Sequence, residues 1–300
     1  MTVGCPGCAA GAGKPEVSKS GFQYCLCPDC GSLYVSPRPT KAEITAYYQA
    51  APSVKFWSTH FFRETREARR ERMFRPRAEL VGAIADRRGL SRATLVDVGS
   101  GYGIFLEEVR KLGAFARVVG VEPEPDMAAL SRSNGFEIVG KPIEAMGERE
   151  LEADVATAFE VLEHVFDPLE FLLGARRILR PGGVLVLTTQ TIDGFDIQVL
   201  WERSKSLAPP QHINLLSIAG MRALAERAGL ELEELSTPGV LDVDIVRNAA
   251  ADADAPPLPR FVRSLLGQPE ATRGAFQAFL REHGLSSHMR ALLRRPKEAS

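Results

Sequence analysis

The stretch LVDVGSGYGIFLEEVRKLG, from Leu95 to Gly113, constrains the fold of this chain most tightly. Its first four residues are an apolar run with one acid, Asp97, short enough for a buried strand. Gly99, Gly101 and Gly103 then break the run, and Phe105, Leu106, Val109 and Leu112 follow at helical spacing. Strand, glycine turn and helix together bring backbone N–H groups and a helix N-terminus against a small polar ligand. The pattern leaves open which cofactor, if any, rests on those glycines.

The residues downstream narrow the choice. ARVVGVEPEPDMAALSRSNG predicts a second apolar strand ending at Glu122, where an acid can accept both hydroxyls of an adenosine ribose. NAD-binding proteins share that device, but they favour G-x-G-x-x-G. Here the spacing is G-x-G-x-G, and Ile104 stands where the third glycine of that pattern belongs. ADVATAFEVLEHVFDP predicts a buried strand over 155–159 running into a helix with Glu160, Glu163 and His164 near its start. FLLGARRILRPGGVLVLTTQ adds a helix, a Pro181-Gly182-Gly183 turn and another buried strand, and LELEELSTPG a further strand. Strands alternating with helices imply an α/β fold, a mainly parallel sheet covered on both faces.

All five cysteines lie within the first thirty residues. Two knuckles, CPGC and CPDC, are separated by eighteen residues, which suits a zinc ribbon. Two residues between thiolates let one tight turn present both sulfurs to a tetrahedral ion, so Cys5, Cys8, Cys27 and Cys30 form the expected metal set. Pro6 and Pro28 pre-set the turns and Gly31 tolerates a positive φ. Cys25 could replace Cys27, and disulfide pairing is the alternative. Four thiolates leave no open coordination position, so such a zinc would be structural. Three hundred residues with 45% hydrophobic content can bury one large core and an appendage. Net charge is −1, which provides no general drive toward nucleic acid or an anionic membrane. No apolar run approaches the length of a membrane span and the N-terminus is unlike a signal peptide, so the expectation is a cytoplasmic protein without membrane insertion.

Between ribbon and core, helices are predicted around Ile44–Tyr48 and from Phe56 to Arg88. The aromatic residues Phe56, Trp57, Phe61 and Phe62 precede Arg63, Arg66, Arg69, Arg70, Arg72, Arg75 and Arg77. This segment is either a lid with a basic face or a solvated face on which Glu64, Glu67 and Glu71 pair locally with Arg70 and Arg75.

LVDVGSGYG, VVGVEPEP, DVATAFEVLEHVFDP and LRPGGVLVLTTQ together resemble the class I S-adenosylmethionine-dependent methyltransferases, over roughly residues 94–235. The ribbon, PPQHINLLS and LSSHMR are similar to a subgroup acting in polysaccharide biosynthesis. The resemblance implies a Rossmann-like, doubly wound seven-stranded sheet. It divides the chain into a zinc ribbon (1–39), a helical lid or linker (40–92) and a methyltransferase domain (93–300). It assigns Asp97, Gly99, Gly101 and Gly103 to the methionine end of the cofactor and Glu122 to its ribose. Ile143 and Glu144 would flank adenine, although Lys141-Pro142 replaces the usual acid before them, and Phe159 and Glu160 would border the transferable methyl. The family's last strand is antiparallel. SSHMRALLRR is the remaining candidate despite its helical propensity, making 240–284 a helical insertion.

Methyl transfer from a sulfonium is an in-line displacement, in which positioning and exclusion of water contribute much. A hydroxyl acceptor also gains from a base, for which His212 and His164 are the candidates. Stabilising its own loop is the alternative role for His212, and His60, His283 and His288 carry no comparable argument. The expected activity is methylation of a small-molecule or glycan hydroxyl. An RNA methyltransferase reading its substrate through the ribbon, a non-catalytic binder and an NAD enzyme are the alternatives. The oligomeric state is left open.

Overall fold

The computed structural model describes residues 1–50, 66–90, 92–148, 150–252 and 257–297. Three short antiparallel strands come first, β1 (Lys14–Lys19), β2 (Phe22–Leu26) and β3 (Leu33–Val35). The principal sheet follows: β4 (Thr94–Val98), β5 (Arg117–Val121), β6 (Glu137–Val139), β7 (Ala153–Phe159) and β8 (Leu179–Gln190). The two-residue β9 (Asn214–Leu215) leaves this sheet to pair with β3, and β10 (Glu231–Ser236) and β11 (His288–Arg294) return to it. Spatial order in the seven-stranded sheet is β10-β11-β8-β7-β4-β5-β6. Neighbours from β8 to β6 are parallel, whereas β11 runs antiparallel to both β8 and β10. Val96, Val98, Val119, Val155, Leu185 and Val186 are fully or almost fully buried, as continuous apolar runs covered on both faces must be.

SSHMRALLRR illustrates tertiary context overruling propensity. Met289, Ala291 and Leu293 point to the core in strict alternation while the residues between them are half-buried, and a period of two is satisfied only by a strand. Its antiparallel direction places its first residue, His288, opposite Gln190 at the carboxyl edge of the parallel strands. LRPGG forms no separate turn before β8. Leu179 already pairs with Ala153, residues 180–183 bulge out, and pairing resumes at Val155–Val184.

The helices are α1 (Lys41–Ala50), α2 (Arg66–Arg69), α3 (Arg75–Arg87), α4 (Ile104–Leu112), α5 (Pro125–Ser133) and α6 (Pro168–Ile178). After them come α7 (Phe195–Leu200), α8 (Ile218–Arg227), α9 (Asp242–Ala251), α10 (Arg260–Leu266) and α11 (Glu270–Glu282). Of the long helix expected from Phe56, residues 51–65 lie outside the described residues, with the aromatic cluster, His60, Arg63 and Glu64. The remainder is interrupted by a π-helical turn, Arg70–Phe74. Pro76 has no N–H to return to the Arg72 carbonyl, and just before it the Arg75 N–H reaches back five residues to Arg70. The arginines here pair mostly across helices rather than locally. Arg66 and Arg70 grip Glu107 on α4, while Arg75 (3.3 Å) and Lys111 (2.6 Å) share Glu108. Within its own helix, Arg70 keeps only the Glu67 contact at 2.6 Å.

The ribbon does not stand apart. Tyr24, Leu33 and Val35 share one apolar cluster with Ile197, Leu207, Ile213 and Leu215. At the other end, buried Asp242 at the start of α9 accepts from Gln277 (2.7 Å), Ser286 (2.6 Å) and the Ser287 N–H (2.7 Å), tying α9 and α11 to the start of β11. Among the described residues no helix is long and apolar enough to cross a membrane.

Gly174 shows how contact can reverse a propensity rule. It lies inside α6, where alanine ordinarily stabilises, but a Cβ there would sit 2.6 Å from the Ile143 carbonyl oxygen. We expect Gly174→Ala to destabilise by about 1–3 kcal/mol rather than stabilise by about 1 kcal/mol, as read by urea denaturation.

Candidate active site

The carboxyl ends of β4 and β7 meet at a cleft of about 300 Å³, and Glu122 at the end of β5 lies behind the glycine turn rather than among the lining residues. Asp97, Gly99, Ser100 and Gly101 form one wall, Phe159, Glu160 and His164 a second, and Arg69, Phe74 and Arg77 of the N-terminal helices a third. A second depression of about 320 Å³, between Ala250, Leu258 and Leu266 on the helical insert, offers one charged group, Arg263, and no residue suited to proton transfer.

The glycine turn takes its shape from backbone bonds. Gly99, Gly101 and Gly103 have φ of +75°, +52° and +75°, a region that disfavours side chains. Gly99 (2.8 Å) and Ser100 (3.2 Å) donate to the Val121 carbonyl, and Gly103 to that of Ser100 (2.9 Å). The Gly101 N–H donates to the Glu122 carboxylate at 2.7 Å, whose other oxygen accepts from the Glu124 N–H at 2.9 Å. These four turn N–H groups are therefore committed within the chain. What faces the cleft is a bare surface: nothing lies within 4 Å of a Cβ built on Gly101, while the buried Ser100 Oγ packs against Gly120 of β5 with no hydrogen-bond partner among the described residues.

Glu122 is only 6% exposed, where a partly exposed acid at a strand end was expected. Burial raises its pKa, against the opposing pull of the two N–H groups. Asp97, also buried, is pushed to about 7 by burial and by the Glu122 charge, although Thr157 donates to it at 2.6 Å. The first two strand ends thus carry two acids that resist ionising together.

The segment after β7 departs from the sequence reading. It does not enter a helix at Glu160. Glu160 adopts φ of +56°, residues 160–167 form an irregular turn, and α6 begins only at Pro168 with Asp167 as its N-cap. Asp167 accepts from Leu169 N–H at 2.9 Å, and the proline disfavours helical conformation before it. Glu160 is drawn to three partners: Arg77 (2.7 Å), Thr188 (2.6 Å) and His288 (3.5 Å). Burial would raise its pKa, but His288, Arg77 and Thr188 outweigh that and hold it below the usual carboxylate range. Arg77 also lies over the Phe159 ring at 4.8 Å, and Phe105 meets that ring edge-on at 4.9 Å. Glu163 points inward and accepts from Thr189 at 2.8 Å; burial, reinforced by Glu160, lifts it to about 8.

His164 and His212 come together, their rings edge-to-face at 4.8 Å. The Nδ1–H of His164 donates to the Gln211 carbonyl (3.0 Å) and that of His212 to the Ser206 carbonyl (2.8 Å), which fixes the tautomer of each neutral ring. Burial holds His164 down at about 4 and lowers His212 as well. Only His164 of the two lines the cleft. Ile143 is buried in the main core, and the Glu144 carbonyl accepts from Arg177 at 3.0 Å, so neither joins the cleft wall. His288 and Arg77 are the site residues that sequence reasoning missed. His288 is visible only once the last strand is known to be antiparallel, and Arg77 was one arginine among seven.

In the ribbon, the sulfurs of Cys5, Cys8, Cys27 and Cys30 lie within 4.8 Å of one another, with Cys5–Cys30 and Cys8–Cys27 both at 3.5 Å. Cys25 is outside the group and faces the Ser36 carbonyl. Four sulfurs this close match the donor set of a tetrahedral thiolate site.

Comparison with known proteins agrees with this geometry. A family model described as a methyltransferase domain matches residues 65–235. The ubiquinone biosynthesis O-methyltransferase of Xanthomonas oryzae pv. oryzae is 28% identical over 166 residues, covering 51% of this chain and 69% of that protein. Its counterpart in Cereibacter sphaeroides is 30% identical over 166 residues, covering 47% and 65%. Among solved structures, the plantazolicin methyltransferase BpumL in complex with SAH superposes with a TM-score of 0.54 at 14% identity, over 85% of this chain and 94% of that one.

The buried acids make stability pH-dependent in a stated direction. Between about 4.5 and 8 the folded chain holds the Glu163 proton and the unfolded chain does not, so stability falls as pH rises through that window. Glu163→Gln removes this contribution. Its Tm relative to the parent should rise between pH 5 and pH 8, and a pH-independent difference would contradict the protonated state assigned to Glu163.

Proposed function

This chain belongs to the methyltransferase-domain family and is an S-adenosylmethionine-dependent enzyme of that class, and we propose that its acceptor is a hydroxyl oxygen on a small molecule. The observation that carries the cofactor reading is the Glu122–Gly101 bond. A pyrophosphate needs the N–H groups of a glycine turn, and here they are consumed internally. A nucleoside instead needs a strand-end acid, a side-chain-free surface and a deep apolar wall, which Glu122, Gly101 and the Phe105–Phe159 pair supply. Arg69 and Arg77 border the opening and suit a carboxylate.

When bound, S-adenosylmethionine supplies an electrophilic methyl group. The chain's own residues position and shield it. Glu122 holds the ribose, Asp97 and the Gly99–Gly103 turn take the amino-acid end, and Phe159 and Glu160 flank the methyl. Ile143 and Glu144, outside the cleft wall, take no contact in this reading. Phe105 and Phe159 exclude water, so an oxygen held behind the methyl carbon gains from orientation. That oxygen must shed its proton, and a neutral imidazole at the cleft can take it. His164 lines the cleft and His212 backs it, so these two are the proton acceptors of the reading. The names of the relatives support oxygen as the methylated atom and a small molecule as its carrier. Sugar hydroxyls present the same chemistry, whereas the near-balanced charge does not favour RNA. The four clustered cysteines hold a structural zinc, which the geometry fits and which takes no part in catalysis.

Calorimetry tests the cofactor reading without knowledge of the acceptor. S-adenosylhomocysteine should bind at micromolar concentration and NAD should not; the reverse would overturn the reading. Glu122→Gln, which keeps the side chain's size but can accept from only one of the Gly101 and Glu124 N–H groups, should weaken binding about tenfold, or ~1.4 kcal/mol. Metal analysis should find one zinc per chain in the parent and none in Cys27→Ser.

A further inference from the structure

Among the described residues, the ribbon's side-chain hydrogen bonds to the cleft reach the segments that carry the two histidines. Tyr24, fully buried on β2, donates from its hydroxyl to the His212 carbonyl at 2.6 Å. The ring of that same His212 is fixed by Ser206 and lies edge-on to His164. Arg38, 4% exposed just beyond β3, donates to Asn214 Oδ1 at 2.9 Å and to the Phe166 carbonyl, and its guanidinium faces the Phe166 ring at 5.7 Å. Asn214 in turn donates to the Val165 carbonyl at 2.8 Å, and the Ile213 N–H to that of Glu163 at 3.0 Å. The two segments that carry the histidines, 160–167 and 204–214, are thereby stitched to each other and to the ribbon.

The tie runs back to the cysteine cluster. Tyr24 and Cys27 share one hairpin, the Cys30 carbonyl accepts from Ser217 Oγ, and Ser32 Oγ accepts from the Ser217 N–H at 3.1 Å. The glycine turn, by contrast, is pinned by Val121 and Glu122 from within the principal sheet.

We propose that Tyr24 and Arg38 are positioning residues for the acceptor side of the cleft, so that the metal-dependent fold of the ribbon sets the His164–His212 pair without setting the cofactor side. This rests on the cleft being the methyl-transfer site described above. Removing the Tyr24 hydroxyl leaves the His212 carbonyl without its donor, and removing the Arg38 guanidinium does the same to Phe166 and Asn214. Both changes loosen the imidazoles, not the ribose site. Loss of the thiolate-bound metal reaches the same pair through β2 and β3. In this arrangement a chelator or a thiol oxidant silences acceptor handling while the chain still binds its cofactor.

The experiment uses the full chain with its metal, S-adenosylhomocysteine as probe, and histidine-resolved NMR titration with amide hydrogen exchange as readouts. In Tyr24→Phe, metal content should be unchanged and affinity for the probe within about twofold of the parent. The His164 and His212 midpoints should move upward toward the free value of about 6.5, as their burial loosens. Amide exchange over 204–214 should quicken by about tenfold or more. The parent stripped of metal by a chelator should show the same pattern, which covers the case of a variant that folds poorly. Unmoved histidine midpoints and exchange in both samples would overturn the proposal, as would loss of probe affinity in step with them. A metal-loaded parent that fails to bind the probe overturns the cofactor reading itself, and this proposal with it.

Discussion

The 2.7 Å bond from the Gly101 N–H to the Glu122 carboxylate joins the first two strand-to-helix crossings of the sheet. β4 and β5 are adjacent and in parallel register, with Val98 beside Val121, so the turn after one strand opens directly against the acid after the next. Left-handed glycines let the backbone fold into that contact, and Ser131 closes the turn from α5 by donating to the Gly101 carbonyl at 2.9 Å. The cleft floor therefore has fixed shape before any ligand arrives, as preorganised binding requires. The same bond commits the Gly101 N–H within the chain, beside those of Gly99, Ser100 and Gly103.

Around that floor the chain concentrates ionisable groups whose environments push them apart. Asp97 and Glu163 are driven toward the neutral form by burial, while Glu160, at the same edge, is kept charged by Arg77, Thr188 and His288. The Arg77–Glu160 ion pair thus stays charged at an edge where burial pushes the neighbouring acids and imidazoles toward their neutral forms. Glu160 holds this place in a positive-φ conformation, a cost that persists only where the surroundings enforce it.

Much of this was legible in the residues. Strict alternation or unbroken apolar runs marked the strands, the glycines and Glu122 marked the ligand end, and knuckle spacing selected Cys27 over Cys25. What was hidden depended on partners distant in the chain. The arginine-rich segment offered local carboxylates at helical spacing, yet Arg66, Arg70 and Arg75 reach Glu107 and Glu108, because packing of that segment on α4 brings these acids closer. His164 was assigned to a helix because EVLEHV reads as helical, but Asp167-Pro168 provides a stronger start eight residues after Phe159. Glu122 looked like a solvated strand end until the turn folded over it. His288 gained its meaning from strand direction, and β9 is too short to register in any pattern: two residues, paired with the ribbon, unite the domain core with the cysteine-bearing strands.

A crystal structure of the chain with S-adenosylhomocysteine would test the central claim most directly. The account predicts the ribose hydroxyls on Glu122, the adenosine against Gly101 and the thioether sulfur directed toward Phe159 and Glu160. A ligand bound elsewhere, or a ribose distant from Glu122 with the cleft closed, would contradict it.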